Sequence, residues 1–258
     1  MCLLALAIGQ HPLYPLVIAG NRDEYHARPS AAAAPWPDHP QIVGGRDLTA
    51  GGSWMAASLG GRVAMVTNIR RPGASKGRSR GHLVREALLD HADPEHSLAR
   101  LRASAADYSP YNLIFGRGQQ LAFVNSDGNS IACMPAGIYG LSNATLDTLW
   151  PKVGKLREAL ARWCARGDCE ESILFEALAD TETAADPDLP DTGVGLTMER
   201  MLSAPFITGS SYGTRSSTLY TLDQQGRARL HERRFGADGV FIDRAALEWQ
   251  ISAPADGA

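Results

Sequence analysis

The sequence predicts an α+β protein built as a four-layer αββα sandwich of two antiparallel sheets, with residues 1–258 forming a single domain. Two observations carry this. Strand-like segments come in neighbours separated by turn residues, which makes them hairpins and therefore antiparallel. Helix-like segments arrive in two blocks, and two blocks suit two outer layers around a pair of packed sheets. A doubly wound parallel sheet does not fit this order.

The elements follow in turn. Cys2–Ile8 and Leu16–Ala19 are apolar runs separated by Gly9-Gln10-His11-Pro12, which reads as a hairpin. The proline- and alanine-rich stretch from Arg28 to Pro40 is expected to be a loop. Ser53–Ser58 and Val63–Thr67 flank Gly60-Gly61, a second hairpin, so the chain is expected to begin with four strands. Leu83, Val84, Ala87 and Leu88 then mark one helical face and Leu98 and Leu101 another, with Asp93-Pro94 restarting the helix. Strands resume at Tyr111–Gly116, Gln120–Asn125 and Ser130–Met134, with a further one at Gly137–Leu141. Val153, Leu156, Leu160 and Trp163 open a second helical block, continued by Ile173, Leu174, Ala177 and Leu178. Residues 181–197 have no usable period and are expected to be a surface loop. Ser216–Leu222 and Ala228–Phe235 close the chain as a hairpin.

Composition excludes several classes of function. With 258 residues, 44% hydrophobic and 21% charged, the chain can bury a large core without staples. A formal charge of −3 gives no whole-protein case for nucleic acid or an anionic membrane. One basic run, Arg70 to Arg80, reads as a solvated loop or as a rim that attracts an anionic ligand. Cys2, Cys133, Cys164 and Cys169 lack the spacing of a disulfide framework or a zinc site, and the histidines form no metal-binding pair. No charged leader precedes the first apolar run, and no run approaches the ~20 residues that span a bilayer. The expectation is a cytoplasmic protein with no integral membrane segment, no nucleic-acid partner, no metal and no required cofactor.

Cys2 is the residue of greatest chemical interest. If Met1 is removed, Cys2 carries both a thiol and a free α-amine, whose unperturbed pKa of about 7.7–8.0 suits it to act as an internal base. Its bland reading is a small apolar member of a core strand. At the end of the strand that pairs with it stands Asn21-Arg22-Asp23-Glu24. A terminal amine needs a carboxylate to orient it, and a thiol needs donors to lower its pKa. Asp23 can supply the first, and Arg22 or Asn21 the second. In a regular strand Asn21 and Asp23 share one face and Arg22 takes the other.

With these residues go Gly51-Gly52-Ser53-Trp54, Thr67-Asn68-Ile69-Arg70, Ser79-Arg80-Gly81, Leu141-Ser142-Asn143-Ala144, Trp150-Pro151-Lys152 and Thr214-Arg215-Ser216-Ser217-Thr218. Together they resemble the NRDE family, also called the transport and Golgi organisation two family, over nearly the whole chain. That family in turn looks like the cysteine branch of the N-terminal nucleophile hydrolases. The resemblance implies the same αββα fold. It makes Cys2 the nucleophile, Asp23 the holder of the terminal amine, Asn68 an oxyanion-hole amide, Asn143 a second active-site asparagine and Arg215 a candidate for a later arginine. One departure stands out: the hydrolases place an arginine three residues before the aspartate, where this chain has Gly20.

Two functions are compatible with these residues. The first is a hydrolase of an amide or thioester bond in a small lipophilic or acylated molecule, with Asn21, Arg22, Trp54 and Arg70 contacting the ligand. The second, implied by the resemblance, is a protein that binds haem as cargo, or acyl-coenzyme A or lipid, in the same cleft. There the basic run would attract the haem propionates, and Trp54 and Met55 would offer apolar surface.

Overall fold

In the computed structural model the described residues are 2–251, except 72, 74–76, 91 and 168. Met1, whose removal the expected nucleophile reading requires, and Lys76 of the basic run lie outside them. The first sheet has six strands in the order β10 (Gly137–Leu141), β1 (Cys2–Ile8), β2 (Leu16–Tyr25), β11 (Tyr212–Leu222), β12 (Arg227–Phe235), β13 (Phe241–Gln250). The second has seven, β3 (Ser30–Trp36), β4 (His39–Asp47), β5 (Met55–Ser58), β6 (Arg62–Asn68), β7 (Tyr111–Arg117), β8 (Gln120–Asn125) and β9 (Ser130–Ile131). Neighbouring strands are antiparallel in both.

Strand alternation sorts the core into layers. From β1, Leu4, Leu6 and Ile8 point between the sheets and meet Met55, Met65, Ile114 and Phe123 of the second sheet. Leu3, Ala5 and Ala7 point outward against α3 (Pro151–Arg166) and α4 (Glu171–Leu178). A strand covered on both faces reads as an unbroken apolar run, as Cys2–Ile8 does. Each of its buried leucines stabilises the fold by about 1.5–3 kcal/mol. On the other side α1 (Gly81–Leu89) and α2 (Pro94–Ala103) cover the second sheet through Leu83, Val84, Leu98 and Leu101. The result is four layers, helix, sheet, sheet, helix. None of the helices among the described residues is long and apolar enough to cross a membrane.

Three expectations are corrected. The stretch from Arg28 to Pro40 is not a loop: it holds β3 and the start of β4, so six strands, not four, precede α1. Proline is tolerated there because β3 is an edge strand, where a missing N–H costs no ladder bond. The chain does not close at Phe235 but adds β13, an edge strand whose exposure alternates residue by residue. A short helix, α5 (Leu196–Leu202), begins at the end of the expected 181–197 loop.

Candidate active site

The β1–β2 register sets Cys2 directly opposite Arg22. Directly opposed residues share a sheet face, so both side chains enter the space between the sheets. They line one cleft together with Trp54, Asn68, Ser79 and Arg80. Gly20 lies two residues before Arg22 on the same face. A Cβ there would come within 2.6 Å of Leu4 Cδ2, 2.7 Å of the Leu3 carbonyl and 3.1 Å of the Trp54 ring. An arginine at position 20 is therefore sterically excluded, and Arg22 is the guanidinium that faces the thiol.

Cys2 is 7% exposed. Burial pushes its thiol up, Asp23 and Glu24 push the same way, and Arg22 opposes them. The upward shift leaves the group resting as a thiol. Asp23 leaves the opposite face of β2 from Arg22, and its Oδ1 accepts a hydrogen bond of 2.8 Å from Thr214 Oγ1. Burial raises its pKa, while Lys152, Thr214 and Arg22 draw it back down. Lys152, at the second position of α3, is 1% exposed. Its ammonium has no hydrogen-bond partner among the described residues. Burial pushes it down to about 8, against the pull of Asp23, and Cys2 acts on it as well.

The asparagines form one chain of hydrogen bonds. Ser142 Oγ donates to the Cys2 carbonyl at 2.9 Å and lies 3.1 Å from Asn143 Oδ1. Asn143 Nδ2 donates to Asn68 Oδ1 at 2.8 Å and to the Asn68 carbonyl at 3.1 Å. Asn143 is 1% exposed and has its amide committed to Asn68. Asn68, at the end of β6, is half-buried, and with Oδ1 held by Asn143 its Nδ2 is the end that faces the cleft. Asn143 thus fixes the orientation of the Asn68 amide.

Of the remaining expected site residues, Asn21, Arg70 and Arg215 lie elsewhere. Asn21 is fully buried on the helix side of β2, where Nδ2 donates to the Leu178 and Pro205 carbonyls at 2.8 and 2.9 Å and Oδ1 accepts from Ser217. It ties the sheet to α4. Arg70 points inward to Glu199 of α5 at 2.7 Å, a buried pair, with its guanidinium 5.0 Å from the Trp150 ring centre. Arg215 sits in a bulge of β11 and donates from Nη1 to the carbonyls of Tyr25, His26 and Arg28, clamping the turn after β2. Trp54, 8% exposed, does line the cleft.

Among its described residues the basic run is largely neutralised. Arg70 pairs with Glu199, Arg71 with Asp127 and Arg78 with Glu86, and Arg80 is left in the cleft. The residues that the sequence does not single out for the site are Lys152, Ser142 and Thr214, while Arg80 is expected only as part of the basic run that could form an anion-attracting rim. Lys152 falls in Trp150-Pro151-Lys152, yet a cation at a helix start reads as solvated unless the burial is known.

Comparison with known proteins finds relatives along most of the chain. The human Transport and Golgi organization protein 2 homolog is 29% identical over 273 residues, covering 97% of this chain and 96% of that protein. The Drosophila melanogaster Transport and Golgi organization protein 2 is 32% identical over 267 residues, covering 90% and 91%. Among solved structures, a mutant of the conjugated bile acid hydrolase from Clostridium perfringens aligns with a TM-score of 0.49 at 8% identity, over 100% of this chain and 99% of that one. The Caenorhabditis elegans N-acylethanolamine-hydrolyzing acid amidase ortholog aligns with a TM-score of 0.48 at 10% identity, over 84% and 92%. The Transport and Golgi organisation 2 family matches residues 1–237, and the chain belongs to that family.

Proposed function

We propose that the cleft is the acyl-transfer site of a cysteine N-terminal nucleophile hydrolase that cleaves an amide or thioester bond in a small acylated molecule. The observation that carries this reading is the convergence of Cys2, Arg22 and the Asn68 amide on one cleft. Once Met1 is removed, the Cys2 amine takes the Sγ proton and the thiolate attacks the acyl carbon. The developing oxyanion takes a hydrogen bond from Asn68 Nδ2, a contribution worth roughly 2.7–4 kcal/mol for one donor. The ammonium returns its proton to the leaving nitrogen or sulfur, and the Cys2 thioester remains. Water, deprotonated by the same amine, then releases the acid and restores the thiol.

Charged and polar side chains together form most of the cleft wall, with Trp54 and Val66 as its main apolar faces. This favours an acylated molecule with polar flanks over haem, whose macrocycle needs a broad apolar slot. The test is intact mass after incubation with p-nitrophenyl acetate. Met1-free protein carrying an acetyl group on Cys2, lost on standing and absent from Cys2→Ala, supports the reading. Retained Met1, or processed and folded protein that stays unlabelled, removes it.

A further inference from the structure

We infer that the cleft carries a subsite for an anionic group of its ligand, a carboxylate or a phosphate, in which Arg80 is the recognising residue. This rests on the cleft being the acyl-transfer site proposed above. The charge pairing inside the cleft leads to it. Of the carboxylates that line it, Asp47 is bound by Arg28 at 2.6 Å, and Glu24 lies between Arg28 at 3.9 Å and Arg22 at 3.8 Å. Asp23 is turned to Thr214 on the far face of β2. Arg80 has no carboxylate partner among the described residues.

Its guanidinium is nevertheless held in place. Nε donates to the Pro110 carbonyl at 2.9 Å, which leaves the terminal nitrogens for the cleft. Arg80 is also the N-cap of α1, and that helix start is packed flush against the β4–β5 connection: a Cβ at Gly52 would lie 2.3 Å from the Gly81 carbonyl carbon. The mount is rigid. Burial lowers the Arg80 pKa while Cys2 and Glu24 raise it, as expected of a partly desolvated cation close to the nucleophile. The first turn of α1 holds no acidic residue, so the helix dipole adds to the positive field in place of being cancelled. Across the cleft, Arg22 Nη1 is buried with no hydrogen-bond partner among the described residues. Cys2 thus shares one cleft with two guanidinium groups that keep N–H donors without partners among the described residues, and guanidinium donors bind carboxylate or phosphate oxygens in pairs.

The experiment compares alkylation of Cys2 by iodoacetate, which carries a carboxylate, and by iodoacetamide, which is neutral. Both react with the same thiolate, so the ratio of their rates cancels any change in thiolate fraction. The wild-type ratio is expected to exceed that of free cysteine. Arg80→Gln is expected to lower it about tenfold, the effect of losing one charge-assisted hydrogen bond of roughly 1.5 kcal/mol. Arg80→Lys, which keeps the charge, recovers part of the preference and separates it from misfolding. Arg71→Gln, in the exposed pair with Asp127, leaves the ratio unchanged. Inorganic phosphate and acetate, added as competitors, identify the group: stronger protection of Cys2 by phosphate assigns a phosphate, and by acetate a carboxylate. Equal ratios in wild type and Arg80→Gln overturn the subsite. Because alkylation needs no turnover, a lowered ratio in protein that never accepts an acyl group upholds the subsite and removes the hydrolase reading alone. An unchanged ratio in protein that does acylate removes the subsite alone.

Discussion

Cys2 and Arg22 face each other across β1 and β2, and the guanidinium offsets part of the rise that burial imposes on the thiol. A cation stabilises the thiolate, so its removal disfavours ionisation. Arg22→Gln is expected to shift the pH profile of Cys2 alkylation by iodoacetamide to higher pH, with slower reaction near neutrality. A profile that superimposes on the wild type would show that Arg22 does not act on the thiol.

The position of Arg22 was legible in part. Period-two alternation separates it from Asn21 and Asp23, and the hairpin Cys2–Ala19 implies a register, but that register places Arg22 on the thiol's face only when the turn length is known. The steric need for Gly20 lies first in Leu4 and the Leu3 carbonyl of the paired strand and then in the Trp54 ring, and no local pattern reports it. The helix blocks and central strands were readable because buried strands and amphipathic helices leave strong periodic signals. Edge strands do not: β3 contains proline and alanine and so reads as a loop, and β13 lies beyond the last apolar hairpin. Asn21 and Arg215 have suitable chemistry in suitable segments. Their roles depend on which carbonyls the folded chain brings to them, those of Leu178 and Pro205 in one case and of the 25–28 turn in the other.

Asn68 and Asn143 are expected to differ in kind. Asn68→Ala deletes the donor itself and is expected to slow acylation of Cys2 by p-nitrophenyl acetate by about 10²–10³-fold. Asn143→Ala leaves the donor but frees its Oδ1, so Asn68 can rotate. Its loss is expected to be smaller, within the roughly 10²-fold that misplacement costs. Equal losses in the two variants would assign direct contact with the oxyanion to both.

Asn21 is expected to contribute to stability and not to the chemistry. Asn21→Ala leaves two buried carbonyls, of Leu178 and Pro205, and the Ser217 hydroxyl without their partner. At about 1–3 kcal/mol for an unsatisfied buried group, with partial relaxation, a total cost on the order of 3 kcal/mol is expected in urea unfolding. The rate of Cys2 alkylation in the folded variant is expected to match the wild type. A stable variant with slowed alkylation would return Asn21 to the site.

Lys152 gives a prediction whose sign is fixed by burial. Its ammonium is pushed down to about 8, below the ordinary lysine value of about 10.4. Between those two pH values the folded protein has released a proton that the unfolded chain still binds. Unfolding then takes up a proton, so the stability owed to this group rises with pH across that window. Lys152→Met lacks the group. Any constant penalty the variant incurs by leaving Asp23 without its neighbouring cation is the same throughout the window and subtracts out. The difference in unfolding free energy is therefore expected to move in favour of the wild type by on the order of 3 kcal/mol between pH 8 and pH 10.4, at 1.36 kcal/mol per pH unit. Urea melts of both proteins at stepped pH measure it directly. A flat difference would mean that the Lys152 ammonium keeps its ordinary pKa inside the fold, and so that Asp23 compensates its burial in full.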